Sequence, residues 1–194
     1  MNLVEINAET KEAVFEVNPA INQEFKDEKY HVMKYDFIHV TPPMGAPDFL
    51  KNSPSLIDAA GFVTVDKETL QHTKFPNIFA IGDNANLPTS KTLAALATQL
   101  PVVRDNIVNF ARKRPLTAKY SGYTSCPIPT AGDRAVLAEF DYTMEPRETF
   151  SHDQSVPSYF NMVIKRLMLP MYFVAYVRGL WEGPSQLSWI RWFL

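Results

Sequence analysis

The sequence is poor in the residues that build several familiar kinds of site. It has one cysteine, Cys126, among 194 residues, so no disulfide can form within the chain and no metal site can be made of cysteines. It has seven glycines against fifteen prolines. It also lacks a Gly-x-Gly-x-x-Gly motif, so the pyrophosphate loop of a self-sufficient dinucleotide-binding domain is missing. Any cysteine chemistry must rest on a single thiol.

Other absences exclude whole classes of function. The 19 basic and 21 acidic residues form no basic stripe with interleaved aromatics, so we expect no nucleic-acid partner. No apolar run reaches the roughly 18 residues of a spanning helix. The first residues resemble neither a signal peptide nor a transit peptide, and they suggest a chain that starts within a domain. The four histidines lack metal-ligand spacing, so we expect no metal site and a surface or hydrogen-bonded place for each: His31, His39, His72 and His152.

The hydrophobic content of 46% is sufficient for a core. Alternating and apolar patterns predict strands at 3–6, 13–17, 35–40, 62–65, 78–81 and 134–142. A helix is predicted from residue 92 to about 112. At Pro101 we expect it to be kinked, or to be interrupted and to start again. Glu139 and Asp141 alternate along the last strand, which favours a solvated edge for both. The mixture of strands and helices predicts the α/β class.

The segment 75–92 predicts a strand, a tight turn and a helix. The apolar strand stops at Gly82 and Asp83, and Thr89 or Ser90 is expected to cap the following helix. Asp83 could accept hydrogen bonds from a sugar alcohol. The helix N-terminus and Lys91 could stabilise negative charge on a flavin ring. An ordinary strand, turn and helix without a ligand is the alternative.

The C-terminal part is crowded with large apolar side chains. An uncharged run at 167–177 lies between basic residues and is followed by three tryptophans. Too short to span a bilayer, it fits an amphipathic segment in the membrane interface. A hydrophobic helix pair docked on a core or on a partner fits equally well.

Several segments, in this order, closely resemble the eukaryotic mitochondrial type of the sulfide:quinone oxidoreductase family. They are Thr-Pro-Pro-Met at 41–44, Ala-Gly-Phe-Val-Thr-Val at 60–65, Phe-Ala-Ile-Gly-Asp at 79–83, Asn-Leu-Pro-Thr-Ser-Lys-Thr at 86–92, Tyr-Ser-Gly-Tyr-Thr-Ser-Cys-Pro at 120–127 and Ala-Glu-Phe-Asp-Tyr at 138–142. The Gly-Asp element is shared by many flavin disulfide reductases. The segments at 86–92 and 120–127 are more specific.

The resemblance implies a partial flavoprotein fold with two Rossmann-like, FAD/NAD(P)-binding domains. Residues 1–40 would end the second, NADH-like domain, 41–115 would be the C-terminal part of the FAD domain, and 116–194 would carry the redox cysteine and the membrane and quinone region. It implies a monotopic protein of the mitochondrial inner membrane. It also implies that hydrogen sulfide is oxidised through a cysteine persulfide, that electrons pass through FAD to ubiquinone, and that a small thiol or sulfite takes the sulfur.

The resemblance also implies roles for individual residues. Cys126 would carry the persulfide. From its local setting, apart from the resemblance, we expect the hydroxyls of Thr124 and Ser125 to donate hydrogen bonds to its thiolate. The expected FAD contacts are Gly82, Asp83, Lys91, Thr92, Thr41 and Pro42. The expected quinone and membrane contacts are Tyr159, Phe160, Tyr172, Phe173 and Tyr176. The family's glycine-rich loop and its other redox cysteine have no counterpart here, so we expect a fragment or one piece of a longer chain, inactive alone.

Two other readings remain open. A related NADH:quinone or disulfide oxidoreductase would share Gly82 and Asp83 without needing Cys126. A non-catalytic membrane-associating fragment would keep the apolar tail without a working cofactor site.

Overall fold

The structure is a computed structural model that describes residues 1–41, 45–171 and 174. The chain divides into two compact units, Met1–Met44 and Gly45–Leu194. Both sheets of the described residues pair antiparallel, and three α-helices accompany them. The α/β expectation is therefore confirmed at the level of the elements present.

The first unit contains a three-stranded sheet. Its strands are β1 (Asn2–Asn7), β2 (Glu12–Glu16) and β3 (Tyr30–Lys34), in the order β1-β2-β3. The strands predicted at 3–6 and 13–17 are confirmed, whereas the one at 35–40 is wrong. The Val17 amide donates to the Lys29 carbonyl (3.0 Å), which closes the loop early and starts the pairing at residue 30. Of the apolar residues that suggested a later strand, Phe37 is 86% and Val40 42% exposed, while Tyr35 and Ile38 are half-buried.

The second unit begins with a short helix α1 (Asp48–Lys51) and a long irregular stretch. The strands predicted at 62–65 and 78–81 are wrong, because only isolated bridges form there, such as Val63–Ala85 and Gln71–Phe79. Side chains replace the missing ladder bonds: the Val65 amide donates to Asn86 Oδ1 (3.0 Å). His72 is buried and bonded, since its Nδ1 accepts from the Lys74 amide (2.9 Å). That confirms a structural role for His72.

The predicted helix near 92–112 is confirmed as α2 (Leu93–Ala111), which runs through Pro101 as one element. Its N-terminal half packs small residues against the core of this unit. Further along, the buried Asn106 donates to the carbonyls of Thr69 (3.0 Å) and Ala118 (2.9 Å). These bonds fix α2 against the segments on either side of it.

A hairpin follows, with strands β4 (Thr124–Thr130) and β5 (Arg134–Phe140). The predicted strand at 134–142 is thus confirmed to residue 140. Cys126 pairs with Ala138 and Ser125 with Glu139, and paired residues share a face of the sheet. Helix α3 (Tyr159–Met171) contacts both strands.

Within the described residues, no helix combines the length and apolar character needed to cross a membrane. Residues 172, 173 and 175–177 of the uncharged run, and the tryptophans beyond it, lie outside the described residues. The prediction of an interfacial segment there stays a prediction.

Candidate functional site

The Gly82 turn is built for a residue without a side chain. Gly82–Asn84 form a 3-10 turn directly after the Phe79 bridge. Gly82 has φ +72°, and a Cβ there would lie 3.3 Å from Leu96 Cδ1. Its amide donates to Gln99 Oε1 (2.7 Å). The turn thus requires glycine for its backbone conformation. The hydrogen bond to Gln99 ties it to α2.

The N-terminus of α2 lies beside this turn. Its cap is Thr92, whose Oγ1 accepts from the Ala95 amide (3.1 Å). The prediction that Thr89 or Ser90 caps the helix is wrong, because the helix begins at Leu93 and the capping side chain must come immediately before it.

Lys91 is half-buried and engaged in the protein. Its Nζ donates to the Ala85 carbonyl (2.5 Å) and lies 4.6 Å from the centre of the Phe62 ring. Burial lowers the pKa of Lys91, while the nearby carboxylates of Asp83 and Asp58 act in the opposite direction. The ammonium is thus held close to the turn and to the start of α2.

A depression joins these residues. Counting the solvent at its mouth, it has a volume of about 180 Å³. It is lined by Gly82, Leu87, Thr89, Ser90, Lys91, Thr92, Ala95 and Gln99. Of the predicted FAD contacts, the structure brings Gly82, Lys91 and Thr92 together here. Asp83 is in the same turn and exposed, but it is not part of the lining.

Cys126 is exposed on β4. Two residues earlier, the Thr124 hydroxyl donates to the Ser90 carbonyl (3.2 Å) and lies 3.0 Å from Thr92 Oγ1. Alternate residues of a strand share a face and lie about 7 Å apart. Cys126 therefore projects from the face of β4 that contacts the start of α2.

The structure does not support the expected donors to the thiolate. The Thr124 hydroxyl is committed to Ser90 and Thr92. Ser125 is buried and lies on the opposite face of the strand from Cys126, because neighbouring side chains alternate.

Glu139 corrects another expectation, since it is only 4% exposed. Its carboxylate accepts from the Tyr123 hydroxyl, from the Thr149 amide (3.0 Å) and hydroxyl (2.9 Å), and from Gln154 Nε2 (2.7 Å). The strand pattern suggested a solvated edge, but the segment after β5 folds back and covers this face. Enough donors surround the carboxylate to make its burial tolerable.

The remaining predicted contacts are scattered. Thr41 is exposed and belongs to the first unit. Phe160 is 45% exposed and packs edge-on against the rings of Phe150 and His152. Tyr159 is 60% exposed. Pro42, Tyr172, Phe173 and Tyr176 lie outside the described residues.

Sequence reasoning missed one residue that lines the depression, Gln99. It is buried, at 2% exposure. A glutamine among Leu, Ala and Thr on the inner face of a helix signals a buried hydrogen bond, but it does not identify the partner.

Known proteins are similar to this chain over nearly its whole length. No protein-family model matches the chain. The chain is 49% identical over 186 residues to the mouse mitochondrial sulfide:quinone oxidoreductase and 48% identical over 187 residues to that of Dictyostelium discoideum. It is 40% identical over 192 residues to that of Schizosaccharomyces pombe. The chain is a homologue of one segment of this enzyme.

The matches cover 95–96% of the chain but only 39–40% of the relatives. The relatives are oxidoreductases and mitochondrial by name. A chain in the cryo-EM structure of the Tetrahymena thermophila mitochondrial ATP synthase has a similar fold, with a TM-score of 0.77 and 26% identity. That match covers 94% of this chain and 42% of the Tetrahymena chain.

Proposed function

We propose that this chain forms the flavin-edge and thiol-bearing part of an FAD-dependent oxidoreductase that oxidises hydrogen sulfide and reduces ubiquinone. The observation that carries the proposal is the contact between Thr92 and Thr124. It joins the N-terminus of a 19-residue helix to the strand of the lone cysteine. A thiol and an anion-stabilising helix end are two of the parts that electron transfer from sulfur to a flavin uses.

The residues around the depression fit one edge of FAD. The Gly82 turn lets backbone approach a ligand closely, since it carries no Cβ. The first turn of α2 and Lys91 offer positive charge to a flavin edge that gains electrons. Asp83, exposed in the same turn, would accept hydrogen bonds from the ribityl hydroxyls. Bound FAD would supply a two-electron acceptor.

The thiol of Cys126 would take up the sulfur. Joining one thiolate to one hydrosulfide as a persulfide anion forms an S–S bond, breaks the S–H bond of the hydrosulfide, releases its one proton and gives up two electrons. Those electrons would pass to FAD and then to ubiquinone. A small thiol or sulfite would remove the outer sulfur and regenerate Cys126. The exposure of Cys126 suits a sulfur that must meet both a donor and an acceptor.

The other parts of the proposal follow from the family resemblance in the sequence. Residues 1–40 would complete an NADH-like dinucleotide-binding domain, 41–115 the FAD domain, and 116–194 the redox and membrane region. The protein would act at the surface of the mitochondrial inner membrane. Phe160, beside the Phe150 and His152 rings, would contribute to an apolar wall for the quinone.

A chimera tests the proposal. The 194 residues replace the homologous segment of the mouse enzyme, and sulfide-dependent quinone reduction is measured. We expect activity with the unaltered chain and its loss with Cys126→Ser. Ile128→Ser is the matched control, because it places the same side chain at an exposed position on the same face of β4.

The result also separates the alternatives. Activity that survives Cys126→Ser would favour an NADH:quinone or disulfide oxidoreductase, in which the thiol has no role. A folded chimera without a flavin spectrum or activity would favour a non-catalytic fragment.

A further inference from the structure

Helix α2 carries a row of exposed apolar side chains, which we call the α2 stripe. Leu93, Leu100 and Ile107 follow one another at seven-residue intervals, so they share a face of the helix. Phe110 lies about one turn beyond Ile107, on nearly the same face. Their exposed fractions are 48%, 38%, 46% and 39%. Single exposed apolar residues need no explanation, but a row along one face of a long helix marks a contact surface.

The α2 stripe begins at the proposed flavin edge. Leu93 directly follows Thr92, the helix cap that lines the depression. Leu96 lies on the same side of the helix and is half-buried. Its Cδ1 is 3.3 Å from the position that a Cβ would take at Gly82. The stripe is therefore continuous with the Gly82 turn, and a polypeptide that covers it would lie beside that turn.

The proposed flavin site needs a second polypeptide segment at this place. The sequence has no Gly-x-Gly-x-x-Gly motif, so another segment must supply the pyrophosphate loop. More than half the length of each curated relative lies outside the match with this chain. The loop and the Gly82 turn would hold the same FAD molecule, so the segment that carries the loop must pack close to the start of α2. The exposed apolar surface that runs from there is the α2 stripe.

We propose that the α2 stripe is the docking surface for the FAD-binding segment that carries the glycine-rich pyrophosphate loop. The inference rests on the proposed function, in which the Gly82 turn and the start of α2 contact the flavin. Burial of the large apolar side chains of the stripe would stabilise the contact. Arg104, between Leu100 and Ile107, donates from Nε to Asp105 Oδ1 (2.9 Å). This matched pair suits the polar rim of an interface.

Cysteine labelling tests the docking surface. Leu100→Cys and Ile107→Cys are made separately in the 194-residue chain and in the mouse chimera, and reaction of each new thiol with a maleimide is followed by peptide mass spectrometry. Both thiols should react readily in the 194-residue chain and at least about tenfold more slowly in the chimera. Val156→Cys is the matched control, because Val156 is 54% exposed and lies outside α2. It should react at the same rate in both proteins.

The inference is overturned if the stripe thiols react equally fast in both proteins. It is also overturned if they react slowly in the 194-residue chain, because a second copy or residues 172–194 would then cover the stripe. Amide hydrogen exchange of the unsubstituted proteins is a second readout, and residues 100–110 should exchange more slowly in the chimera. A reactive stripe in an active chimera overturns this inference alone. A protected stripe in a chimera that does not oxidise sulfide overturns the proposed function alone.

Discussion

The hydroxyl oxygens of Thr92 and Thr124 lie 3.0 Å apart. Their protons can be assigned, because the Thr124 hydroxyl donates to the Ser90 carbonyl and Thr92 must then donate to Thr124. The cap of α2 is thereby bonded to the strand that carries Cys126. Residues 32 positions apart in sequence form one small polar junction between the two halves of the proposed site.

This junction should be measurable as a coupling energy. Thr92→Val removes the helix cap and should lower the free energy of unfolding by about 1 kcal/mol. Thr124→Val should cost a similar amount, and the double variant should cost at least about 0.5 kcal/mol less than the sum. Urea denaturation followed by circular dichroism provides the values. Thr130→Val, at the exposed end of the same strand, should change stability by less than about 0.5 kcal/mol. Additive effects would mean that the two hydroxyls do not interact.

Replacing Gly82 should cost more than replacing a comparable glycine elsewhere. Gly82 and Gly132 have nearly the same φ, +72° and +71°, but a Cβ at Gly132 would meet nothing within 4 Å. Gly132→Ala should therefore report the backbone strain alone, about 1 kcal/mol. Gly82→Ala should lower the free energy of unfolding by more, because the added Cβ also crowds Leu96. If thermal or urea denaturation shows that the two variants lose the same free energy of unfolding, Leu96 moves aside without an energetic cost.

Lys91 should make stability depend on pH in the alkaline range. Its pKa in the folded protein lies below the ordinary value of 10.5, chiefly through burial. As pH rises from the folded pKa toward 10.5, the unfolded chain holds more protons at this group, so its contribution to stability increases. The stability of the unaltered protein relative to Lys91→Met should therefore rise over this interval.

Lys119 offers a control of opposite sign, because its hydrogen bond with Glu68 raises its pKa. Its contribution is fully present below 10.5 and is lost as pH rises through the folded pKa. Relative to Lys119→Met, the unaltered protein should gain nothing between pH 8 and 10. Parallel curves for the two lysine variants would contradict the account of Lys91.

The buried carboxylate of Glu139 should be sensitive to the loss of a donor. Tyr123→Phe removes one hydrogen bond from a shielded anion, which should cost about 1–3 kcal/mol of unfolding free energy. The matched control is Tyr159→Phe, since Tyr159 is 60% exposed and should lose less than about 0.5 kcal/mol. A Tyr123→Phe variant as stable as the control would show that water or another group satisfies Glu139.

The sequence predicted those elements whose signal is local. Helix α2 shows helical periodicity over 19 residues, and β2 and β5 alternate clearly. The predictions were wrong where residues distant in sequence determine the local structure or the burial of a side chain. Glu139 looks solvated in its own strand, and only the return of the chain near Thr149 and Gln154 buries it. The strand predicted at 62–65 does not form. The Val65 amide donates its hydrogen bond to the side chain of Asn86, which is distant in sequence, and not to a neighbouring strand.

In the candidate site too, the sequence predicted features with a local signal and did not predict contacts between distant segments. The glycine at 82 and the cysteine at 126 could be selected from their motifs, because a tight turn and a thiol each require one residue type. The partners of Gln99 and of Thr124 could not be inferred, since each bond joins segments that meet only in the folded chain. The cap was misplaced by two or three positions, as is common where several Ser and Thr residues precede a helix.

The most direct test of the account is to locate the sulfur. The mouse chimera is exposed to sulfide with quinone present and without a thiol or sulfite acceptor, then alkylated, digested and analysed by mass spectrometry. The account predicts that the peptide containing Cys126 gains one sulfur atom, and that no such peptide forms when quinone is omitted and the flavin is already reduced. Turnover of sulfide with Cys126 recovered only as the unmodified thiol would contradict it.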